Sequence, residues 1–358
     1  MLVLFISYVD FSAADSGSGM RPQKMYEAFL REGHEVKLLC GQQGTFRSRE
    51  TRRRAVAEIS AWLDSHRPDL CYIESPVYPI LWSFDRRLIR KICRMGIPTG
   101  YFYRDFYRKF PTLFPRRKDP VGRAKELFLD LQQRRTDRTL ECVDIVYLPS
   151  MEASSLFSYG DMRPLPPGGE DHLADAHRQK NRCVYVGGVL GHYDGEMLLR
   201  AFRLLNAGDE SYPLTLICRE KEWAQIPDEL KTGDWLEVRH ASGEALIPLL
   251  SQAGAGLLIG RADHPYSRLA VSVKTYEYLG YGLPVVYVRC PPLDRIVEQA
   301  GAGFGVDGTP EAYARGIKKL FADEENYKRL CRGAEGLFEN DGQWKHRVRK
   351  VVSDLTGE

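Results

Sequence analysis

The sequence has no run of about 18 apolar residues, so no membrane-spanning helix is expected. Its opening, Met1-Leu2-Val3-Leu4-Phe5-Ile6-Ser7, lacks a basic lead-in and a small-residue cleavage site, and reads as a first β-strand rather than a secretory signal. No GxGxxG follows that strand, and no acid ends the second strand, where Cys40-Gly41 stands, so a dinucleotide site is disfavoured. The eight cysteines include no CxxC pair. Cys71, Cys183 and Cys218 fall in strand-like runs, and reduced, buried thiols of a cytoplasmic protein are expected. A net charge of +3 is too small to imply nucleic acid. No short repeat or low-complexity tract appears.

What is there is an alternation of strands and helices. With 358 residues, 43% hydrophobic and 28% charged, the composition is that of a soluble globular protein of two ordinary domains. Strands are expected at 2–8, 36–40, 70–74, 99–103 and 145–148, with helices at 22–31, 55–65, 86–95 and 126–141 between them. The segment Arg163-Pro164-Leu165-Pro166-Pro167-Gly168-Gly169 continues neither a helix nor a central strand and reads as a linker. The alternation then restarts, with strands at 183–186, 214–218, 236–239, 255–259 and 285–288. Its helices are expected at 196–205, 247–252, 273–279, 310–322 and 326–338. Two doubly wound α/β domains facing a cleft are expected. The boundaries are 1–166 and 167–340, with 341–358 as a basic amphipathic helix returning to the first domain.

Ser272 to Val286, S-V-K-T-Y-E-Y-L-G-Y-G-L-P-V-V, is the most informative stretch. Lys274 and Glu277, three apart, share one helix face. The first-turn N–H groups are free and the helix dipole is positive there. An anion site (Lys274 with bare N–H groups) beside a hydroxyl-binding carboxylate (Glu277) is what a nucleoside diphosphate and its ribose need.

The order of these pieces resembles the GT-B glycosyltransferases, and most of all glycosyltransferase family 4, over nearly the whole chain. The matching segments are S-G-S-G-M-R-P…L-R-E-G-H-E-V, R-P-D-L-C-Y-I-E-S, V-D-I-V-Y-L-P-S-M-E, P-L-P-P-G-G-E, V-Y-V-G-G-V-L-G-H-Y-D-G-E and K-T-Y-E-Y-L-G-Y-G-L-P-V-V. The resemblance implies a sugar-nucleotide-dependent transferase, such as a UDP-sugar enzyme of polysaccharide biosynthesis. It implies no cofactor and no metal; Asp161, Asp171 and Asp175 are isolated and form no DxD motif. It assigns Glu277 to the ribose, and Ser272, Val273 and Lys274 to the diphosphate. The chain departs from the pattern in three places. Leu269 replaces a common second glutamate, Gly188 takes an arginine position, and Asp194 falls near a lysine position. Arg261, Arg268 and Lys274 therefore become the cations expected on the diphosphate, with Tyr266 or His264 stacking on or bonding the donor.

In the first domain, Gly17-Ser18-Gly19 precede a helix and let a ligand approach the backbone. The resemblance places this loop near the donor phosphates or the transferred sugar; the alternative is a turn for packing. Arg104-Asp105 follow the fourth strand, at the edge where parallel sheets bind ligands. Asp105 is the candidate general base for an acceptor hydroxyl; alternatively it caps the next segment or pairs with a nearby arginine. Glu74 and Asp10 are weaker rivals, and His34 is expected to be structural. Residues 104–138 interleave Arg108, Lys109, Arg116, Arg117, Lys118, Arg123, Arg134 and Arg135 with Phe106, Tyr107, Phe110, Phe114 and Phe128. Such a stretch suits an anionic membrane surface at the inner face of the membrane, near a glycan or lipid-linked acceptor. A solvated helix face is the plainer reading, and no nucleic-acid motif accompanies it. A sugar-nucleotide epimerase and a non-catalytic sugar-nucleotide-binding partner are the alternatives to a transferase.

Overall fold

The computed structural model describes residues 1–11, 17–44, 46–110, 113, 119–261 and 263–357. Residues 12–16 of the small-residue loop, and Phe114, Arg116, Arg117 and Lys118 of the basic stretch, lie outside them. The chain divides into two compact units, Met1–Pro166 with Trp344–Glu358, and Pro167–Gln343.

The described residues of the first unit form a six-stranded parallel sheet in the order β2-β1-β3-β4-β5-β6. The strands are β1 (Leu2–Ser7), β2 (Glu35–Leu39), β3 (Leu70–Glu74), β4 (Thr99–Phe102), β5 (Ile145–Leu148) and β6 (Met162–Pro164). Helices α1 (Gly17–Arg31), α2 (Phe46–Trp62), α3 (Ser83–Arg94) and α4 (Pro120–Leu140) connect them. β1, β3, β4 and β5 are covered on both faces, which is why they read as unbroken apolar runs. The chain reverses direction across the sheet between β1 and β3, where Leu4 pairs with Cys71. Helix α12 (Trp344–Thr356) completes the unit. Its Trp344, Val348, Val351 and Leu355 join Phe5, Phe29, Tyr72, Phe102 and Tyr147 in one core.

Several boundaries differ from expectation; α2 starts nine residues before the expected 55, and three others have a local cause. Helix α1 starts at Gly17, not Pro22, so Pro22 sits inside it. Pro22 lies in the second turn, so the carbonyl of Ser18 goes without the N–H that position would otherwise give it. β6 occupies residues assigned to the linker; as an edge strand it admits Pro164 without losing a ladder bond it needs. Helix α4 starts six residues early because Asp119 caps it, accepting from the Gly122 N–H at 3.2 Å.

The second unit repeats the plan. The strands are β7 (Cys183–Val186), β8 (Leu214–Ile217), β9 (Leu236–Arg239), β10 (Ala255–Leu258), β11 (Val285–Val288) and β12 (Gly303–Val306). They form a parallel sheet ordered β12-β11-β10-β7-β8-β9, which reverses between β7 and β10. β12 escapes the sequence reading because Gly-Phe-Gly-Val is short and half glycine. Helix α5 (Gly195–Leu205) follows β7, and α6 (Glu220–Trp223) follows β8. The short α7 (Ile247–Ser251) precedes β10, α8 (Val273–Leu279) precedes β11, and the single turn α9 (Pro291–Leu293) follows it. Helices α10 (Pro310–Ala322) and α11 (Glu324–Leu337) close the unit. Phe202, Leu216, Leu257, Tyr313 and Ile317 fill one core cluster; Val184, Tyr276, Tyr278, Leu283 and Val285 fill another.

A buried charge holds the first unit's crossover edge. Arg52 on α2 is 1% exposed. Its Nε donates to Asp85 Oδ1 at 2.9 Å, and its Nη1 donates to the carbonyls of Ser7 at 2.6 Å and Gly41 at 3.1 Å. The guanidinium lies 4.2 Å from the centre of the Tyr8 ring. Burial pushes the Asp85 carboxyl up, against the pull of Arg52. Removing one partner of such a pair strands the other, so Arg52→Leu is expected to cost about 3–5 kcal/mol in urea unfolding. Arg52→Leu with Asp85→Leu is expected to cost less than the single change; an additive or larger loss would show that the pair is not the cause.

Candidate functional site

In open parallel sheets, ligands bind beyond the carboxyl ends of the strands where the order reverses. In the second unit that edge is made by Gly187-Gly188 after β7, Ile259-Gly260-Arg261 after β10, and the start of α8. Helix α8 begins where Ser272 caps it, its hydroxyl accepting from the Lys274 N–H at 3.2 Å. Thr275, Tyr276, Tyr278 and Leu279 bury one side. The Tyr278 hydroxyl accepts from the Val186 N–H at 2.8 Å, and its ring packs on Gly256, where a Cβ would overlap it. The helix is thereby fixed to both strands that border the reversal.

That docking turns Lys274 and Glu277 to the opposite side of α8. Their side chains are 22% and 23% exposed and form an ion pair with each other. The sequence placed them on one helix face, and they do share it. The structure adds that the lysine is engaged by the glutamate. Val273, also named for the diphosphate, is the first residue of α8 and half-buried.

The loop after β7 explains why Gly188 replaces a cation. A Cβ there would stand 2.5 Å from the Tyr193 ring and 3.2 Å from Glu222 Oε2. Tyr193 occupies the room that a longer side chain would need. The Gly188 carbonyl accepts from the Tyr185 hydroxyl, and the next N–H, of Val189, donates to Glu222 Oε2 at 2.9 Å. Glu222 also pairs with Arg219 at 2.7 Å. Asp194 is the cap of α5, in the left-handed region at φ 57°, accepting from the Met197 N–H at 3.4 Å. Tyr193 and Glu222 were missed in the sequence; Tyr193 lies five residues after Gly188, but no spacing rule links the glycine to Glu222, 34 positions away.

The 260–272 segment joins this loop through the Arg261 N–H, which donates to the His192 carbonyl at 2.9 Å. The His192 and His264 rings stack with centroids 5.2 Å apart. Arg261 is exposed and forms a forked pair with Asp263, its Nη2 2.9 Å from Oδ2. Arg268 is exposed and free of ion pairs among the described residues. Tyr266 is half-buried, its carbonyl accepting from the N–H groups of Leu269 and Ala270. Leu269, in the place of the family's second acid, therefore lies in this turn.

In the first unit, Gly17, Ser18 and Gly19 form the first turn of α1 instead of a loop ahead of it. Arg21, in the same M-R-P segment, has a role that the local sequence does not signal. Its Nε donates to Glu74 Oε1 at 3.1 Å, and its guanidinium lies 3.6 Å from the Phe102 ring centre. Glu74 is fully buried and also accepts from the Tyr72 hydroxyl at 2.8 Å, so this rival for the base is a core ion-pair partner. Asp105 Oδ2 accepts from Arg104 Nε at 2.8 Å, and both side chains are mostly buried. It thus pairs with a neighbouring arginine and still lines a cavity of about 150 Å³ with Ser75, Tyr101, Tyr103, Arg108 and Gln133. His34, whose imidazole burial holds below its ordinary value, lies between α1 and β2 as a structural residue.

The basic stretch is divided by the fold. Phe106 is buried, and Arg108 is held by Glu126 at 3.0 Å and Asp130 at 2.5 Å. On α4, Val121, Leu127, Phe128 and Leu131 are exposed, as are Arg123, Lys125, Arg134 and Arg138. No helix among the described residues is long and apolar enough to cross a membrane.

No protein-family model matches the chain, and no curated protein matches its sequence. Solved structures match its fold end to end. A glycosyltransferase from Rickettsia africae is 12% identical, with 99% of this chain and 98% of that one covered and a TM-score of 0.67. Sucrose-phosphate synthase from Thermosynechococcus elongatus is 14% identical, covering 98% and 97%, at 0.66. HepE from Anabaena, solved with UDP, is 12% identical, covering 100% of both, at 0.65. The architecture is GT-B: two Rossmann-like domains, each built on a six-stranded parallel sheet among the described residues.

Two expectations follow. Tyr278→Phe leaves the buried Val186 N–H without its acceptor and is expected to cost about 1–3 kcal/mol in denaturant unfolding; no loss would mean α8 is held otherwise. Burial, with the His264 charge adding to it, holds the His192 imidazole below its ordinary value near 6.5. The unfolded chain then takes up the proton first, so stability falls as pH drops from above 6.5 through the lower folded value. His192→Gln is expected to flatten that slope in thermal scans from neutral to mildly acidic pH.

Proposed function

We propose that the chain is a glycosyltransferase. It moves a sugar from a nucleoside-diphosphate sugar held by the second unit to a hydroxyl of a glycan or lipid-linked acceptor held by the first. The observation that carries this reading is the placement of Lys274 and Glu277, side by side, at the strand-order reversal of a GT-B sheet. In the proposal Glu277 accepts from the ribose hydroxyls, and the diphosphate draws Lys274 out of its pair. Arg261 and Arg268 supply further positive charge, Ser272 and Val273 offer backbone N–H groups, and Tyr266 or His264 meets the base. With Gly188 enclosed by Tyr193 and Glu222, the β7–α5 loop borders the donor without supplying a cation. That neighbours of the same fold were solved with UDP, HepE and an alpha-glucosyltransferase among them, supports uracil as the first base to try.

Charge on the departing diphosphate is met here by these side chains and N–H groups, so transfer is proposed to need no divalent metal. In the first unit the cavity beside Asp105 takes the acceptor, and Gly17–Gly19 approach the transferred sugar. Asp105 receives the acceptor's proton as its oxygen attacks the anomeric carbon and the bond to the diphosphate breaks. The Arg104 contact orients that carboxylate. The exposed face of α4, apolar side chains among arginines and lysines, rests on an anionic membrane surface where a lipid-linked acceptor would be presented.

A calorimetric screen of nucleotides and nucleotide sugars tests the donor assignment. A nucleoside diphosphate is expected to bind, and Glu277→Ala or Lys274→Ala to weaken it about tenfold or more, as loss of a hydrogen bond to a charged group does. Binding that survives both changes would move the site elsewhere. In a transfer assay, turnover is expected to persist in EDTA. Asp105→Asn is expected to lower it about 10²–10⁴-fold; full turnover removes Asp105 as the base. Epimer formation without acceptor would identify an epimerase, and binding without transfer or hydrolysis a non-catalytic partner. Sedimentation with anionic vesicles is expected to carry the chain down at low salt and to fail for Leu127→Glu with Phe128→Glu.

A further inference from the structure

Cys93 and Cys142 are 49 positions apart, yet their sulfurs stand 2.9 Å apart, inside van der Waals contact. Cys93 lies on the last turn of α3; Cys142 lies in the turn that leaves α4. Both ends are anchored. Arg90 Nη2 donates to Thr139 Oγ1 at 3.1 Å. Asp144, two residues beyond Cys142, accepts from the Thr99 N–H at 2.7 Å and returns its own N–H to the Thr99 carbonyl at 3.0 Å. The Cys142 N–H donates to the Thr139 carbonyl at 3.3 Å. Cys142 is exposed and Cys93 half-buried, whereas Cys71, Cys183, Cys218, Cys290 and Cys331 are buried.

We propose that Cys93 and Cys142 are a modification site, a dithiol that hydrogen peroxide closes into a disulfide clasping the end of α3 to the end of α4. The Cys142 thiolate attacks one peroxide oxygen, the O–O bond breaks, and the departing oxygen takes a proton and leaves as water. Cys142 is now a sulfenic acid, oxidised by two electrons. The Cys93 sulfur attacks the Cys142 sulfur, the S–O bond breaks, and hydroxide leaves with the Cys93 proton as a second water. Two thiols and one peroxide have become a disulfide and two waters; a dithiol reductant reverses the change by exchange.

The roles follow from the surroundings. The Cys142 thiol is pulled down to about 7, first by the hydrogen bond it shares with Cys93 and then by the Arg90 guanidinium, with burial and Asp144 opposing. The Cys93 thiol is pushed up, by the same shared bond and by burial. The attacking thiolate is therefore the exposed one, and its resolving partner is the covered one already in contact with it.

The test treats the full chain with a stoichiometric amount of hydrogen peroxide, alkylates the remaining thiols under denaturing conditions, and maps them by mass spectrometry. The wild type is expected to lose the mass of two hydrogens, to lose alkylation at Cys93 and Cys142 alone, to yield the cross-linked peptide, and to recover both thiols with dithiothreitol. Cys93→Ser is expected to stop at a sulfenic acid on Cys142 that dimedone traps; in Cys142→Ser, Cys93 stays reduced. Oxidation of Cys142 in the wild type while Cys93 remains free to alkylate overturns the proposal. So do a disulfide found only between chains and a pair left reduced while Cys40 reacts. The wild-type map decides the matter even if a serine variant fails to fold.

Discussion

The bond from the Val186 N–H to the Tyr278 hydroxyl joins the last residue of β7 to the last turn of α8. It is where the second unit's helix geometry meets its sheet geometry. A helix of seven residues has too few internal bonds to hold its own direction. Its direction is given by Tyr278, whose ring lies on Gly256 of β10 while its oxygen holds β7. Because β7 and β10 border the strand-order reversal, one side chain relates α8 to both walls of the site. Lys274 and Glu277 are placed by that relation rather than by contacts of their own.

The first unit solves a related problem with charge. The carboxyl edge of its sheet must hold loops from several strands in register without burying them under a lid. Arg52 does this from beneath, with one guanidinium serving a carboxylate, two carbonyls and an aromatic face. Arg21 repeats the device with Glu74 and Phe102 a few strands away. At Arg52 a lysine would serve poorly: only a planar fork addresses a carboxylate, two carbonyls and a ring at once.

Much of this was readable in the residues. The helix at 273–279 and the strands at 183–186, 236–239 and 285–288 coincide with expectation; the runs at 183–186 and 285–288 are apolar because those strands are buried throughout, and the spacing at 273–279 reflects the one buried side of α8. Gly188 and Asp194 stood out in the sequence as departures from the pattern it resembles, and packing gives each a local reason: Tyr193 fills the space beside Gly188, and Asp194 is a left-handed cap. The pairing of Asp105 with Arg104 was one of two readings the sequence left open. What stayed illegible was long-range. Arg21 with Glu74, Arg52 with Asp85 and Cys93 with Cys142 are brought together by the sheet order, and no local spacing encodes that order. The edge strand β6 and the glycine-rich β12 were lost for the opposite reason, since their local signals point away from strand.

The membership of α12 in the first unit has a consequence for how the protein comes into being. Trp344 lies against Arg21, Leu355 reaches Gly100, and the helix lies along α1. The first unit's sheet is complete in sequence by β6, yet one face of its core waits for residues made only after the entire second unit. On the ribosome, the first unit must therefore pass through a period with Phe5, Phe102 and Tyr147 incompletely covered. The order of synthesis makes the second unit, contiguous in sequence, the one able to finish first, and leaves the earlier-made unit dependent on a segment that emerges after it.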